Sequence, residues 1–347
     1  MEYTKLGPSD LTVSRICMGG MGFGDAAAGQ HAWTVDEAAT RDIVRRALEL
    51  GVNFFDTAIT YQGGTSEQYL GRALRDLADR DAVVVATKFP PRSPEALAAG
   101  VDGRAYVGRM LDQSLRNLGM DHVDLYILHG WDYHTPISEL LAGLGDGVRA
   151  GKVRYIGISN CYAWQLVQAN AIAAREGFPQ FISVQNHYNL IFREEEREMV
   201  PYCRDGGVAM TPYSALAGGR LSKRPGETSR RLAEDQYAKL KYGGAEELDA
   251  PILRRVAEVA DQRSVTMTEI ALAWLLAHVT APVVGATRRS HIEGAVRAVA
   301  LRLTPEETAF LEEPYRPHPL VGVMAQNTPG TAPGGAIWST GSRQARP

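Results

Sequence analysis

The sequence is poor in cysteine. It has three, Cys17, Cys161 and Cys203, far apart and with no C-x-x-C spacing. An odd, scattered set excludes a disulfide framework and argues against a zinc site, so no metal is expected. Long apolar runs are also missing, and none approaches the ~18 residues of a membrane-spanning helix. The opening "MEYTKLGPSD" has no apolar stretch of the kind a secretory signal needs. Neither sign of charge dominates: 37 basic against 40 acidic residues leave a net charge of −3. There is no basic stripe for nucleic acid and no acidic block. These absences point to a cytoplasmic chain with no nucleic-acid or membrane partner. They leave the oligomeric state open and admit a homo-oligomer.

What is present is alternation. The chain has 347 residues, 45% of them hydrophobic, enough for one large α/β barrel or two ordinary domains. Short apolar segments ("SRICMG", "VNFFDT", "AVVVATK", "HVDLYILH", "KVRYIGISN", "FISVQ", "GVAMTPYS" and "APVVGAT") read as eight strands. Amphipathic stretches between successive strands read as helices. The first, Asp36 to Leu50, has Thr34 and Glu37 in capping-box spacing. Thr135–Pro136 reads as a cap followed by proline at the first helical position. Eight such units predict a closed (β/α)8 TIM barrel. Before it, "EYTKLGPSDLTVSR" reads as a β-hairpin plugging the barrel bottom. After strand seven comes a charged excursion, Lys223 to Asp249, and two extra helices precede strand eight. The expected organisation is a single domain over residues 1–321 with a Pro/Gly-rich, disordered tail over 322–347.

A dinucleotide-binding open sheet is the competing fold, because Gly22 to Ala27 fit G-x-G-x-x-A. Against it, the following helix starts near Asp36 rather than inside the motif, and no acidic residue closes strand two at the expected distance of about 20 residues.

In a barrel the chemistry belongs at the carboxyl ends of the strands. Asp56 closes strand two, Lys88 strand three and His129 strand four, while Tyr61 stands in the loop after strand two. A lone Asp there is usually a cap, a lone Lys usually solvated and a lone His usually a packed core residue. Four complementary groups in consecutive units point instead to one site. An ammonium beside a phenol is expected to lower the phenol's pKa, a buried lysine needs a counterion such as Asp56, and a histidine can hold a carbonyl. The set suits protonation of an oxyanion, but a hydride donor would have to be a cofactor.

"FFDTAITY", "VVVATK" and "LYILH" resemble catalytic segments of the aldo-keto reductases. The likeness continues through "YIGISN", "VQNHYNL", "PYSALAGGRL" and "VVGATRR", in the family's order, up to about Val321. "HYNLIFREEEREM" and "EPYRPHP" further resemble a bacterial subgroup of about this length. The resemblance implies that NADP(H) supplies hydride to an aldehyde or ketone, or accepts it from an alcohol. It implies Tyr61 as proton donor, Asp56 and Lys88 as its tuning pair and His129 as carbonyl holder. It also implies a cofactor set of Gly20, Met21, Asp56, Ser159, Asn160, Gln185, Tyr213, Ser214, Leu216, Gly218, Arg220, Thr287, Arg288 and His291. Two departures stand out: Gly218 where the subgroup often has Arg, and Gly294–Ala295 where adenine contacts are usual. Phe23, Trp33 and Trp131 are candidate walls of a substrate pocket. Two rival functions follow from the same residues: a redox-sensing NADPH-binding protein with little turnover, and a Schiff-base lyase using Lys88. The substrate itself is not legible; aromatic, sugar, pyridoxal-like and polyketide carbonyl compounds all remain open.

Overall fold

The computed structural model describes residues 1–327. Two short strands, β1 (Tyr3–Lys5) and β2 (Thr12–Ser14), pair antiparallel as the expected hairpin. Eight parallel strands follow: β3 (Cys17–Gly19), β4 (Phe54–Asp56), β5 (Val84–Phe89), β6 (Val123–Leu128), β7 (Val153–Ser159), β8 (Phe181–Gln185), β9 (Ala209–Met210) and β10 (Val283–Gly285). They lie in the order β10-β3-β4-β5-β6-β7-β8-β9. The sheet closes on itself through Thr280 N to Met210 O at 3.0 Å and Val283 N to Pro212 O at 2.9 Å. The fold is therefore a (β/α)8 barrel, and the open-sheet alternative is set aside. Gly22 to Ala27 form a loop that turns back through a bridge between Phe23 and Val35 rather than opening a helix.

Two apolar layers hold the barrel. Inside it, Leu6, Leu11 and Val13 of the hairpin region pack against Cys17, Phe54, Val84, Ala86, Leu125 and Ile127. The hairpin thus closes the bottom by burying its apolar residues against the strands' inward side chains. The opposite parity, including Phe55, Val85 and Tyr126, packs outward against the helices. Both faces of these strands are covered, which is why their sequences read as continuous apolar runs.

Local capping differs from expectation at two helices. Asp36, not Thr34, caps helix Glu37–Glu49 by accepting from Ala39 N. Thr34 instead donates its hydroxyl to Gly24 O at 3.0 Å. Thr135 does not cap helix Ile137–Arg149; its hydroxyl is drawn off by Asp132 and Arg92. The extra helices Glu246–Arg263 and Met267–His278 precede β10 as expected.

The excursion after β9 folds into the short helices Arg230–Glu234 and Gln236–Tyr242 over the carboxyl end of the barrel. The expected boundary at residue 321 falls inside packed chain. Met324 and Asn327 are buried, and Asn327 Nδ2 donates to Gln165 Oε1 at 3.0 Å. The remainder of the expected tail, 328–347, lies outside the described residues. No helix among the described residues is long and apolar enough to cross a membrane.

Candidate active site

Side-chain parity delivers the site. On β4, Phe54 points into the barrel, so Asp56 does too; on β5 the inward series is Val84, Ala86, Lys88; on β6 it is Leu125, Ile127 and then His129. Each series ends at the carboxyl end of its strand with a polar group. The period of two, read from an apolar residue in the core, fixes which polar residues meet.

The Lys88 Nζ donates to Asp56 Oδ1 at 2.6 Å, to Thr57 O at 2.7 Å and to Tyr61 Oη at 3.3 Å. Lys88 is fully buried and Asp56 nearly so. Burial alone would lower the ammonium's pKa, but Asp56 and Tyr61 outweigh it and hold the value above that of a free lysine. A lysine kept charged and tied to three oxygens is a poor amine nucleophile, which weighs against the lyase reading. Burial pushes the Tyr61 hydroxyl above the usual phenol value, while the Lys88 ammonium pulls the other way. The expected net lowering is therefore not found: burial wins over the ammonium. The rings of Tyr61 and His129 meet edge-on with centroids 5.7 Å apart. Burial and the Lys88 charge hold His129 well below its ordinary pKa, so its imidazole is neutral.

These groups border a cleft open to solvent, whose empty space of about 1050 Å3 includes its open mouth. Its wall includes Met21, Asn160, Gln185, Tyr213, Ser214 and Gly218 of the cofactor set. Gln185 Nε2 donates to Asp56 Oδ2 at 3.0 Å, linking this wall to the ion pair. Ser159 Oγ donates to Gln185 O at 2.5 Å and accepts from Asn160 Nδ2 at 2.9 Å. Tyr213 Oη donates to Asn160 Oδ1 at 2.9 Å, which fixes the tyrosine ring beside the amides. Backbone strain gathers here. Five non-glycine residues among those described have positive φ, and Gln62, Asn160 and Ser214 of these line the cleft while Ala217 lies in the next loop. Such strain persists where surrounding structure enforces it, commonly at functional sites.

The rest of the cofactor set lies around this wall. Gly20 follows β3, and a Cβ there would stand 3.0 Å from Asp56 O. Leu216 is half-buried, and the Arg220 guanidinium lies 4.9 Å from the Tyr242 ring centroid. Thr287 follows β10 beside Gly22. Arg288 is exposed and donates through Nε to His291 Nε2 at 2.8 Å, at the start of helix Arg289–Ala298. Burial and Arg288 push His291 down to about 4. Arg289 is bound by Asp42. Ala295 is fully buried in the core.

The three aromatic candidates do not wall the cleft. Phe23 is fully buried in the core, Trp33 is buried beneath the Arg231 guanidinium at 4.2 Å, and Trp131 packs near Trp164 with centroids 6.2 Å apart. Phe23 and Trp33 were drawn under the surface by ordinary apolar burial, while Trp131 is only partly buried. In their place the cleft is lined by His31, Gln62, Tyr237, Lys241, Tyr242 and Val323. One signal could have found part of this set. Tyr237 and Lys241 are four residues apart and so share a helix face.

The Aldo/keto reductase family model matches residues 15–316. The chain belongs to that family. Among similar proteins is versiconal hemiacetal acetate reductase of Aspergillus parasiticus, 37% identical over 91% of this chain and 98% of its own length. An aldo-keto reductase of Fusarium vanettenii is 35% identical over 93% of each chain. Norsolorinic acid reductase B of Dothistroma septosporum is 31% identical over 91% of this chain and 82% of its own. These relatives are fungal and lend nothing to the narrower likeness to a bacterial subgroup. This aldo-keto reductase is an oxidoreductase, of a family that works with a nicotinamide cofactor.

Proposed function

We propose that this aldo-keto reductase is an NADP-dependent enzyme that reduces an aldehyde or ketone to an alcohol, with the reverse oxidation open to it. The observation that carries the reading is the bonding of one buried ammonium, Lys88, to both Asp56 and Tyr61 at the floor of the cleft. Tyr61 gives its proton to the carbonyl oxygen. Lys88 stabilises the phenolate left behind, and Asp56 keeps Lys88 charged. Neutral His129 holds the carbonyl oxygen toward Tyr61 by a hydrogen bond.

The residues present fit a nicotinamide dinucleotide. An amide-rich wall of Asn160 and Gln185 beside Ser159 matches a carboxamide, which needs both donors and acceptors. The Tyr213 ring offers a stacking surface fixed by its bond to Asn160. When bound there, the reduced nicotinamide supplies the hydride. Arg288, with neutral His291, is the candidate reader of an adenosine 2′-phosphate. The names of two relatives, for a hemiacetal acetate and for norsolorinic acid, support organic carbonyl compounds as the substrate class.

Incubating the purified protein with NADPH and a panel of aldehydes and ketones tests the reading. Loss of nicotinamide absorbance dependent on both components is the expected result. Tight NADPH binding without turnover across the panel would favour a redox-sensing role and overturn the reductase assignment.

A further inference from the structure

Lys241 is the unexplained cation of the cleft. It lies on helix Gln236–Tyr242, is 4% exposed and, among the described residues, makes no ion pair. Its Nζ donates to Ser214 Oγ at 3.1 Å and stands 4.4 Å from the Tyr213 ring centroid, with the Tyr242 centroid at 5.6 Å. Hydroxyl and ring faces compensate a buried charge only in part. Asp235 is near in sequence, but its Oδ1 caps Ala238 N at 2.9 Å and its Oδ2 takes Arg231 at 3.2 Å. Nothing in the proton transfer proposed above uses Lys241. Burial, with the Arg231 charge nearby, pushes the Lys241 amine well below the ordinary lysine pKa, so a ligand that brings negative charge into the cleft would restore its ammonium.

The neighbouring loop explains why the cation comes from this helix. Gly218 has φ +67, and a Cβ there would stand 3.1 Å from Ala238 Cβ. Helix Gln236–Tyr242 therefore occupies the space a long side chain at position 218 would need. The loop lacks a basic group there, and the helix that crowds it carries one three residues beyond the contact.

We propose that Lys241 is a phosphate-binding residue that takes the diphosphate of the bound dinucleotide. The assignment rests on the dinucleotide reading above. Its contact with Ser214 and Tyr213 places it beside the expected nicotinamide stacking surface, whereas the Arg288–His291 pair follows β10. A group next to the nicotinamide end meets the diphosphate, common to NADPH and NADH, and not the 2′-phosphate. An anionic substrate could offer the same chemistry, so the test uses ligands with no substrate present.

Binding of NADPH, NADH and inorganic pyrophosphate to wild type, Lys241→Met and Lys241→Arg is measured by calorimetry, with a thermal melt of each variant. Lys241→Met is expected to weaken both dinucleotides by the same factor, about 10- to 100-fold for a lost charge-assisted contact, and to abolish pyrophosphate binding. Lys241→Arg is expected to restore most of both. Unchanged or tighter dinucleotide binding in Lys241→Met would overturn the proposal, as would a loss confined to NADPH. Should the methionine variant not melt cooperatively, Lys241→Gln carries the same expectations. If wild type binds neither dinucleotide, the dinucleotide reading fails by itself. Pyrophosphate bound by wild type and lost in the variant would then still support an anion site, and its absence from wild type would remove it.

Discussion

The Lys88 ammonium lies 2.6 Å from Asp56 Oδ1, with both side chains closed off from solvent. A buried pair of this kind is held together at the expense of desolvation, and removing one partner leaves the other uncompensated, at about 3–5 kcal/mol. Its worth here is chemical: the pair sets a fixed positive charge beneath the Tyr61 hydroxyl.

Tyr61→Phe removes the proposed proton donor and keeps the ring. Carbonyl reduction is expected to fall at least ~100-fold, the lower end of general acid catalysis, with NADPH affinity nearly unchanged. Cofactor titration and steady-state turnover on one aldehyde check this. Near-normal turnover would remove Tyr61 from the reaction.

Lys88→Met removes the ammonium that opposes the burial-driven rise of the Tyr61 pKa. Reduction needs Tyr61 protonated, so activity declines as pH rises through that value. Without Lys88 the basic limb should move to higher pH while the maximal rate drops about as far as in Tyr61→Phe. Asp56→Asn should be milder, since Asp56 acts through Lys88. Because Lys88→Met leaves Asp56 unpaired, the profile is also taken on the Lys88→Met/Asp56→Asn double variant. An unmoved limb in both would refute the coupling.

Arg288→Ala tests the cofactor choice. Arg289 is committed to Asp42, and His291, held near about 4, is neutral at pH 7. Arg288 is therefore the cation of this cluster left to meet a 2′-phosphate. Losing a hydrogen bond to a charged group, roughly 1.5–3 kcal/mol, should weaken NADPH about 10- to 150-fold and leave NADH nearly unchanged. Titrating both cofactors decides it; an equal loss for both would assign Arg288 to loop support.

Glu67 gives a stability prediction away from the cleft. It is buried behind Thr87, from which it accepts at 2.6 Å, and burial raises its pKa to about 7. For a carboxyl raised on folding, the native state binds more protons than the unfolded state between the two pKa values. Stability should thus fall as pH rises from about 4.5 to about 7, by roughly 3 kcal/mol at most from this group. Urea unfolding at several pH values should show a shallower decline in Glu67→Gln. The same slope in both proteins would refute the assignment.

The sequence by itself determined the barrel and the four proposed catalytic positions. The barrel and three of these positions depend on a short-range regularity: apolar strands with side chains alternating at a period of two, of which strands two, three and four end in a polar residue on the inward parity; Tyr61 stands in the loop just beyond. Asp56, Lys88 and His129 follow from that count once the strands are adjacent. Only the tertiary structure decided what covers the site. Tyr237 and Lys241 share a helix face in the sequence, but whether that face meets the cleft or solvent depends on how residues 223–249 fold back, which local pattern does not encode. The fates of Phe23 and Trp33 were set in the same way, by long-range burial, while Trp131 stays partly buried beside Trp164. The net direction of the Tyr61 pKa was settled there too, because desolvation depends on every element packed around the hydroxyl, while the sequence names only its charged neighbour.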